Sequence, residues 1–211
     1  SRQDVHADRV NSGVEQMNVL VAYESSGTVR DAFRQAGHNA WSCDILPNAS
    51  KYHYQCDAKI AIQNFEWDMI IMHPSCTALC VSGNAHYGTG KPKHHQRLEA
   101  IDYTLEMFEL AKSVAKFVCM ENPVGVLSIK ASQYVQPFEH GHSESKKTGL
   151  WLHNLPKLEQ TNVLEKPACG YWDNQTPSGQ NKLGPSPDRW KIRSKTYTGI
   201  AQAMAQQWGI L

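Results

Sequence analysis

Four short apolar runs in this chain each stop abruptly at polar or charged residues. They are NVLVAY at 18–23, HNAWSC at 38–43, WDMIIM at 67–72 and KFVCM at 116–120. Each is too short for a buried helix and carries β-branched or aromatic residues, so each predicts a strand. Helical patterns separate them. TVRDAFRQAG (28–37) places Val29, Ala32, Phe33 and Ala36 on one face and ends at Gly37. RLEAIDYTLEMFELAKSVA (97–115) is a longer helix, and TGIAQAMAQQWG (198–209) closes the chain as another. TGLWLHNL (148–155) reads as a further strand. Alternating strands and helices, with functional residue types gathered where strands end, predict an α/β fold with a doubly wound, Rossmann-like sheet. Such a sheet binds ligands beyond the carboxyl ends of its strands.

Composition limits the partners. The 211 residues fit one domain, here taken as 17–211. Residues 1–16 are polar and aperiodic and are expected to be a tail outside the fold, with Met17 opening the first strand. Lys and Arg total 21 against 20 Asp and Glu, so any contact with a polyanion must come from a local patch. Two such patches exist. The segment 81–97 carries Lys91, Lys93 and Arg97, three histidines and no acid, and its glycines predict a mobile loop. The segment 182–195 carries Lys182, Arg189, Lys191, Arg193 and Lys195 against Asp188 alone. Tyr171, Trp172 and Trp190 lie close by, suited to stacking on bases or to packing. Six cysteines are scattered through apolar segments, which predicts free thiols in the cytoplasm and no disulfide framework. No apolar run reaches the ~20 residues of a membrane span.

The strand ends hold the candidate chemistry. Tyr23-Glu24-Ser25-Ser26-Gly27 joins a strand to a helix start, a geometry suited to a nucleotide-like ligand. Asp44 follows at the end of the second strand, where an acid reaches ribose hydroxyls, and Asp57 in QCDA can cap another element. His73-Pro74-Ser75-Cys76 leaves the third strand with a thiol at its mouth, placed to act as a nucleophile. Cys80, four residues on, reads as a packed small side chain. One C-x3-C with no second pair is a poor zinc frame, so no metal is expected. Glu121-Asn122-Pro123 ends the next strand with a carboxylate and an amide, a pair able to hold one edge of a heterocyclic base or to cap a turn.

Taken in order, these pieces resemble the cytosine-C5 DNA methyltransferase family, in particular its small, phage-type members. AYESSGTVRDAFRQAGHNAWSCDI is similar to the family's opening cofactor segment, CDA to its acidic cofactor motif and HPSC to its Pro-Cys nucleophile motif. ENP is similar to its Glu-Asn-Val motif, SKKTGLWL (145–152) to its basic motif and RSKTYTGIAQAMAQQW (193–208) to its last motif. The resemblance implies a sheet that binds S-adenosyl-L-methionine through Tyr23, Glu24, Ser25, Ser26, Gly27, Asp44, Ile45, Asp57, Ala58 and Pro74. It implies catalysis by Cys76, Glu121, Asn122 and Lys147. It also implies DNA as partner, held by Lys91, Lys93, Arg97, Lys146, Arg189, Lys191, Arg193 and Lys195. This chain departs from the pattern at Ser75, which separates Pro74 from Cys76, and at Gly149, where an arginine is usual. Its recognition region is confined to about forty residues, 156–195. That brevity leaves room for a homodimer, for action on single strands or nucleotides, and for a protein that binds DNA or cofactor without turnover.

Overall fold

The structure, a computed structural model, describes residues 15–211. Its elements follow the order β1 (Asn18–Ala22), α1 (Thr28–Gln35), β2 (Asn39–Asp44), β3 (His53–Gln55), α2 (Ala58–Asn64) and β4 (Met69–Met72). After these come α3 (Asn84–Tyr87), α4 (His94–Val114), β5 (Phe117–Pro123), β6 (Gln133–Val135), β7 (Thr148–His153), α5 (Arg189–Ser194) and α6 (Thr198–Trp208). One seven-stranded sheet runs β3-β2-β1-β4-β5-β7-β6. Strands β3 to β5 pair in parallel, and β7 lies antiparallel between β5 and β6. The fold is therefore mixed α/β, as the alternating pattern predicts.

Period-two alternation along the central strands explains why both faces are covered. Val19, Val21, Met69 and Ile71 point to the side where α1 and α6 supply Phe33, Met204 and Trp208. Leu20, Ala22, Ile70 and Met72 point to the other, where α2 and α4 supply Ile62, Met107 and Phe108. Full burial of such side chains contributes about 1.5–3 kcal/mol each. The strand order reverses between β1 and β4, the place where doubly wound sheets bind their ligands. The turn after β1 and the cysteine segment after β4 both leave the sheet at that end.

Three features depart from the sequence reading. The 81–97 segment is folded rather than a free loop, with a single 3-10 turn at Val81–Gly83, then α3 and the start of α4. Short elements β3, α2 and β6 appear where no pattern announced them, and α5 lies inside a stretch read as irregular. Of the expected tail, residues 1–14 lie outside the described residues, and Gln16 donates to the Gly37 carbonyl at 3.0 Å. Among the described residues no helix is long and apolar enough to cross a membrane.

Candidate active site

The register brings three strand ends side by side. Ala22 pairs with Met72, and Met72 with Met120, so the next residues, Tyr23, His73 and Glu121, leave the sheet as neighbours. The His73 N–H donates to the Ala22 carbonyl at 3.0 Å, extending the ladder by one bond. His73 Nδ1 and Glu121 Oε2 lie 2.6 Å apart, with both side chains about nine-tenths buried. Burial pushes the Glu121 carboxyl up, but the His73 hydrogen bond and the charges of Lys146 and His73 overcome this and hold it below its ordinary value. Burial pushes His73 down, but its bond to Glu121 and the charges of Glu121 and Glu24 outweigh it and raise the imidazole.

Beside it, Asn122 donates from Nδ2 to the Pro74 carbonyl at 2.9 Å and so ties β5 to the segment carrying the thiol. Asn122 Oδ1 is buried without a partner among the described residues. Ser75 is exposed and touches only the Thr77 hydroxyl, at 3.4 Å. The extra residue is thus accommodated at the surface, with Pro74 still buried and bonded to Asn122.

From Cys76 the backbone makes one helical turn, the N–H of Cys80 bonding to the Cys76 carbonyl at 2.9 Å. This i, i+4 spacing puts the two thiols on one side of the turn. Cys80 is therefore not the packed side chain the sequence suggested: it is half-buried, and its sulfur lies 3.0 Å from Ser82 Oγ. The bond from Cys76 pulls the Cys80 thiol down to about 5 against its burial. The Ser82 hydroxyl, the Gly83 N–H and the charge of Arg193 assist. Cys76 is raised, by donating to Cys80, by burial and by the charges of Cys80 and Glu121. Of the two sulfurs, Cys80 is the more acidic. Iodoacetamide at pH 6 should accordingly alkylate Cys80 first. Cys80→Ser should slow labelling of the pair about tenfold or more, because an ordinary thiol is almost fully protonated there. Peptide mapping by mass spectrometry checks this, and first labelling at Cys76 would contradict it.

Two basic residues differ from expectation. Lys147 is exposed and its Nζ lies 4.6 Å over the Tyr134 ring, away from Glu121. Its neighbour Lys146 faces the site instead: its charge acts on Glu121, His73 and Cys76, and its Nζ donates to the Arg193 carbonyl at 2.8 Å. One residue of offset on the approach to a strand exchanges the faces. Arg97, read as a DNA contact, is 5% exposed. It donates to the Ala78 and Cys80 carbonyls at 2.7 and 3.2 Å and to Asn84 Oδ1 at 2.7 Å, which fixes the cysteine turn. Gly149 has no room for an arginine, since even a Cβ there would meet the Trp151 ring at 3.0 Å.

The remaining basic residues, Lys91, Lys93, Lys191, Arg193 and Lys195, are exposed, and Arg189 is half-buried. The bond from Lys146 and the charge that Arg193 exerts on Cys80 bring α5 to the mouth of the thiol site. Trp172 is buried and stacked on Phe138 at 4.5 Å, which is core packing. The Trp190 side chain lies outside the described residues.

On the β1 side, Glu24 is a cap rather than a ligand contact. It is 4% exposed, and its carboxylate accepts from the N–H groups of Val29 at 2.7 Å and Arg30 at 3.2 Å, filling the N-terminus of α1. Gly27 sits at φ 75° under the Arg30 guanidinium, whose Nη1 donates to Ser42 Oγ at 2.9 Å. Neither Glu24 nor Gly27 has an open face, so Ser25 and Ser26 are the residues of the turn that meet solvent. Tyr23 holds φ 61°, uncommon for a side chain of its size and typical of functional turns. Its hydroxyl lies 3.1 Å from that of Tyr103. Asp44 Oδ1 accepts from Leu46 N at 2.9 Å, and no hydrogen bond among the described residues uses Oδ2. Ile45 beside it is 73% exposed. Asp57 caps α2, accepting from Lys59 N at 2.7 Å, and Ala58 is buried behind it. A free carboxylate oxygen beside an exposed aliphatic side chain suits a nucleoside. His73 and Cys80 are the functional residues that sequence reasoning undervalued, and only their places in one motif with Cys76 pointed to them.

No protein-family model matches the chain, and no curated protein matches it. Among solved structures it is similar to the S. pombe Dnmt2 methyltransferase, at 19% identity and a TM-score of 0.43 over 67% of this chain and 51% of that one. It is similar to the Entamoeba histolytica methyltransferase EhMeth at 14% identity and a TM-score of 0.48, over 71% and 58% of the two chains. A variant of Spodoptera frugiperda DNMT2 shows 15% identity and a TM-score of 0.40, over 72% and 56%. The chain thus spans little more than half the length of each.

Proposed function

We propose that this chain transfers a methyl group from S-adenosyl-L-methionine to C5 of cytosine in DNA, by way of a covalent bond between Cys76 and C6 of the base. The observation that carries the reading is the meeting of Cys76, Glu121 and Asn122 at the adjacent ends of β4 and β5. The end of β2 and the start of α2 would hold the cofactor: the free oxygen of Asp44 suits ribose hydroxyls, Ile45 offers an apolar face to adenine, and Asp57 with Ala58 would border the adenine side. When bound, S-adenosyl-L-methionine supplies an electrophilic methyl group.

The chain's own residues account for activating the base. Cytosine C5 is a weak nucleophile until a thiolate adds to C6. The Cys80 sulfur, one helical turn on, accepts the Cys76 proton as the C–S bond forms. Glu121 Oε1, which no hydrogen bond among the described residues uses, is available to the N3 and amino edge of the base. Protonation at N3 there offsets the charge that addition brings into the ring. Asn122 holds the Pro74 carbonyl and with it the start of the cysteine turn. Once C5 carries the methyl group, its proton passes to water, the C5–C6 double bond re-forms, and Cys76 leaves as a thiolate that recovers its proton from Cys80. Since C6 is inaccessible within a stacked duplex, the base must be extruded or single-stranded, and the exposed cations of α5 stand where its phosphates would pass.

The test is covalent trapping. Oligonucleotides carrying 5-fluorocytosine should yield, with S-adenosyl-L-methionine, an adduct stable to denaturation and mapped to Cys76, because fluorine cannot leave C5 as a proton does. Duplex DNA, single-stranded DNA, RNA and dCMP, run in parallel, identify the substrate. The absence of an adduct with all four would overturn the reading in favour of a protein that binds without turnover.

A further inference from the structure

Nothing in the proposed chemistry assigns a task to His73, yet it is the most constrained polar side chain of the site. It stands between two acids on neighbouring strands, Glu121 on the β5 side and Glu24 on the β1 side. Lys146 and the Cys76–Cys80 pair complete the charged surroundings. Nδ1 is spent on Glu121 Oε2 at 2.6 Å, and Nε2 is buried with no hydrogen-bond partner among the described residues. The short contact with Glu121, in a place closed to solvent, favours a protonated ring.

We propose that His73 is a positioning residue that holds Glu121 through Oε2 and keeps a proton in store for it. The inference rests on the reading that Glu121 contacts the base. As the Cys76 sulfur bonds to C6, the Nδ1 proton of His73 passes to Glu121 Oε2, and the carboxylic acid so formed turns to give that proton to N3. The N3–H bond forms, the Nδ1–H bond breaks, and His73 becomes neutral. When Cys76 is expelled, the proton returns from N3 through Glu121 to His73. Glu121 thereby acts as an acid while resting as a carboxylate, its charge held by His73 rather than lost to protonation from bulk water.

His73→Asn separates this role from a structural one, because asparagine keeps a donor near the position of Nδ1 but stores no proton. Wild-type methyl transfer should hold to a pH above the ordinary range of histidine. In the variant the fall on the alkaline side should move down by a unit or more. At pH 8 transfer should drop about tenfold or more and recover as the pH is lowered, with S-adenosyl-L-methionine binding unchanged. Superimposable pH profiles would overturn the proposal. A second readout needs no activity. The ring nitrogens of 15N-labelled His73 should report an imidazolium at pH 7.5 in the wild type and a neutral ring in Glu121→Gln, where burial acts with less opposition. A ring already neutral in the wild type would overturn the proposal even if methyl transfer proceeds. An intact imidazolium in a protein that methylates no cytosine would remove the parent reading, and the proton-store role with it.

Discussion

Cys76→Ala is expected to abolish methyl transfer to cytosine while leaving S-adenosyl-L-methionine bound. Alanine removes the atom that bonds to C6, and without that bond C5 does not gain the electron density to accept a methyl group. No nearby side chain can replace it. Cys80 is the more acidic thiol, but its sulfur is engaged by the Ser82 hydroxyl, one helical turn beyond the point that Asn122 fixes through the Pro74 carbonyl. The residues proposed to hold the cofactor, Ser25, Asp44, Ile45 and Asp57, make no hydrogen bond to the thiol segment. Transfer of a labelled methyl group and calorimetric titration of the cofactor therefore give separate answers: no incorporation, with binding close to that of the wild type. Unchanged incorporation would eliminate the covalent route. Loss of binding as well would show that the thiol segment belongs to the cofactor site.

The parts of this protein legible in its sequence are those whose physics is local. Strands β1, β4 and β5 are buried on both faces, so their apolar runs are continuous, and the polar residues that end them mark the end of the sheet that carries the site. Strands β3 and β6 have three residues each and lie at the two edges of the sheet, too short for any periodicity to register. The His73–Glu121 pair spans 48 residues and exists because the strand order brings β4 beside β5, a juxtaposition no window of sequence contains. Lys146 and Lys147 could not be told apart, because which of two adjacent residues faces the site depends on the pleat of β7. Glu24 looked like part of a ligand turn and is instead the cap of α1, since both roles call for an acid at the end of a strand. Arg97 was misplaced for a related reason. An arginine in a segment of lysines and histidines looks like part of a basic surface, and only the path of the chain shows that carbonyl groups surround it.

Arg97→Met is the substitution that turns this last difference into a measurement. Methionine keeps an unbranched apolar stem but removes the donors to the carbonyls of Ala78 and Cys80 and to Asn84 Oδ1. Leaving buried acceptors unpaired costs about 1–3 kcal/mol, so the melting temperature should fall by several degrees without loss of the fold. Activity should suffer more than stability. The turn from Cys76 to Cys80 is held on one side by Arg97 and on the other by the Leu79 carbonyl, which accepts from Val126 N at 3.0 Å. With one side released, the sulfur drifts from its line of attack, and a displacement on the order of 1 Å is enough to cost roughly a hundredfold in rate. The expected result is a kcat about a hundredfold lower, with the salt dependence of the proposed DNA binding unaltered. A residue that touches phosphate would give the opposite pattern: kcat preserved, affinity weakened evenly across sequences, and the slope of binding against salt reduced by about one. Binding isotherms at several salt concentrations, read beside single-turnover rates, distinguish the two, and the buried guanidinium commits this protein to the first.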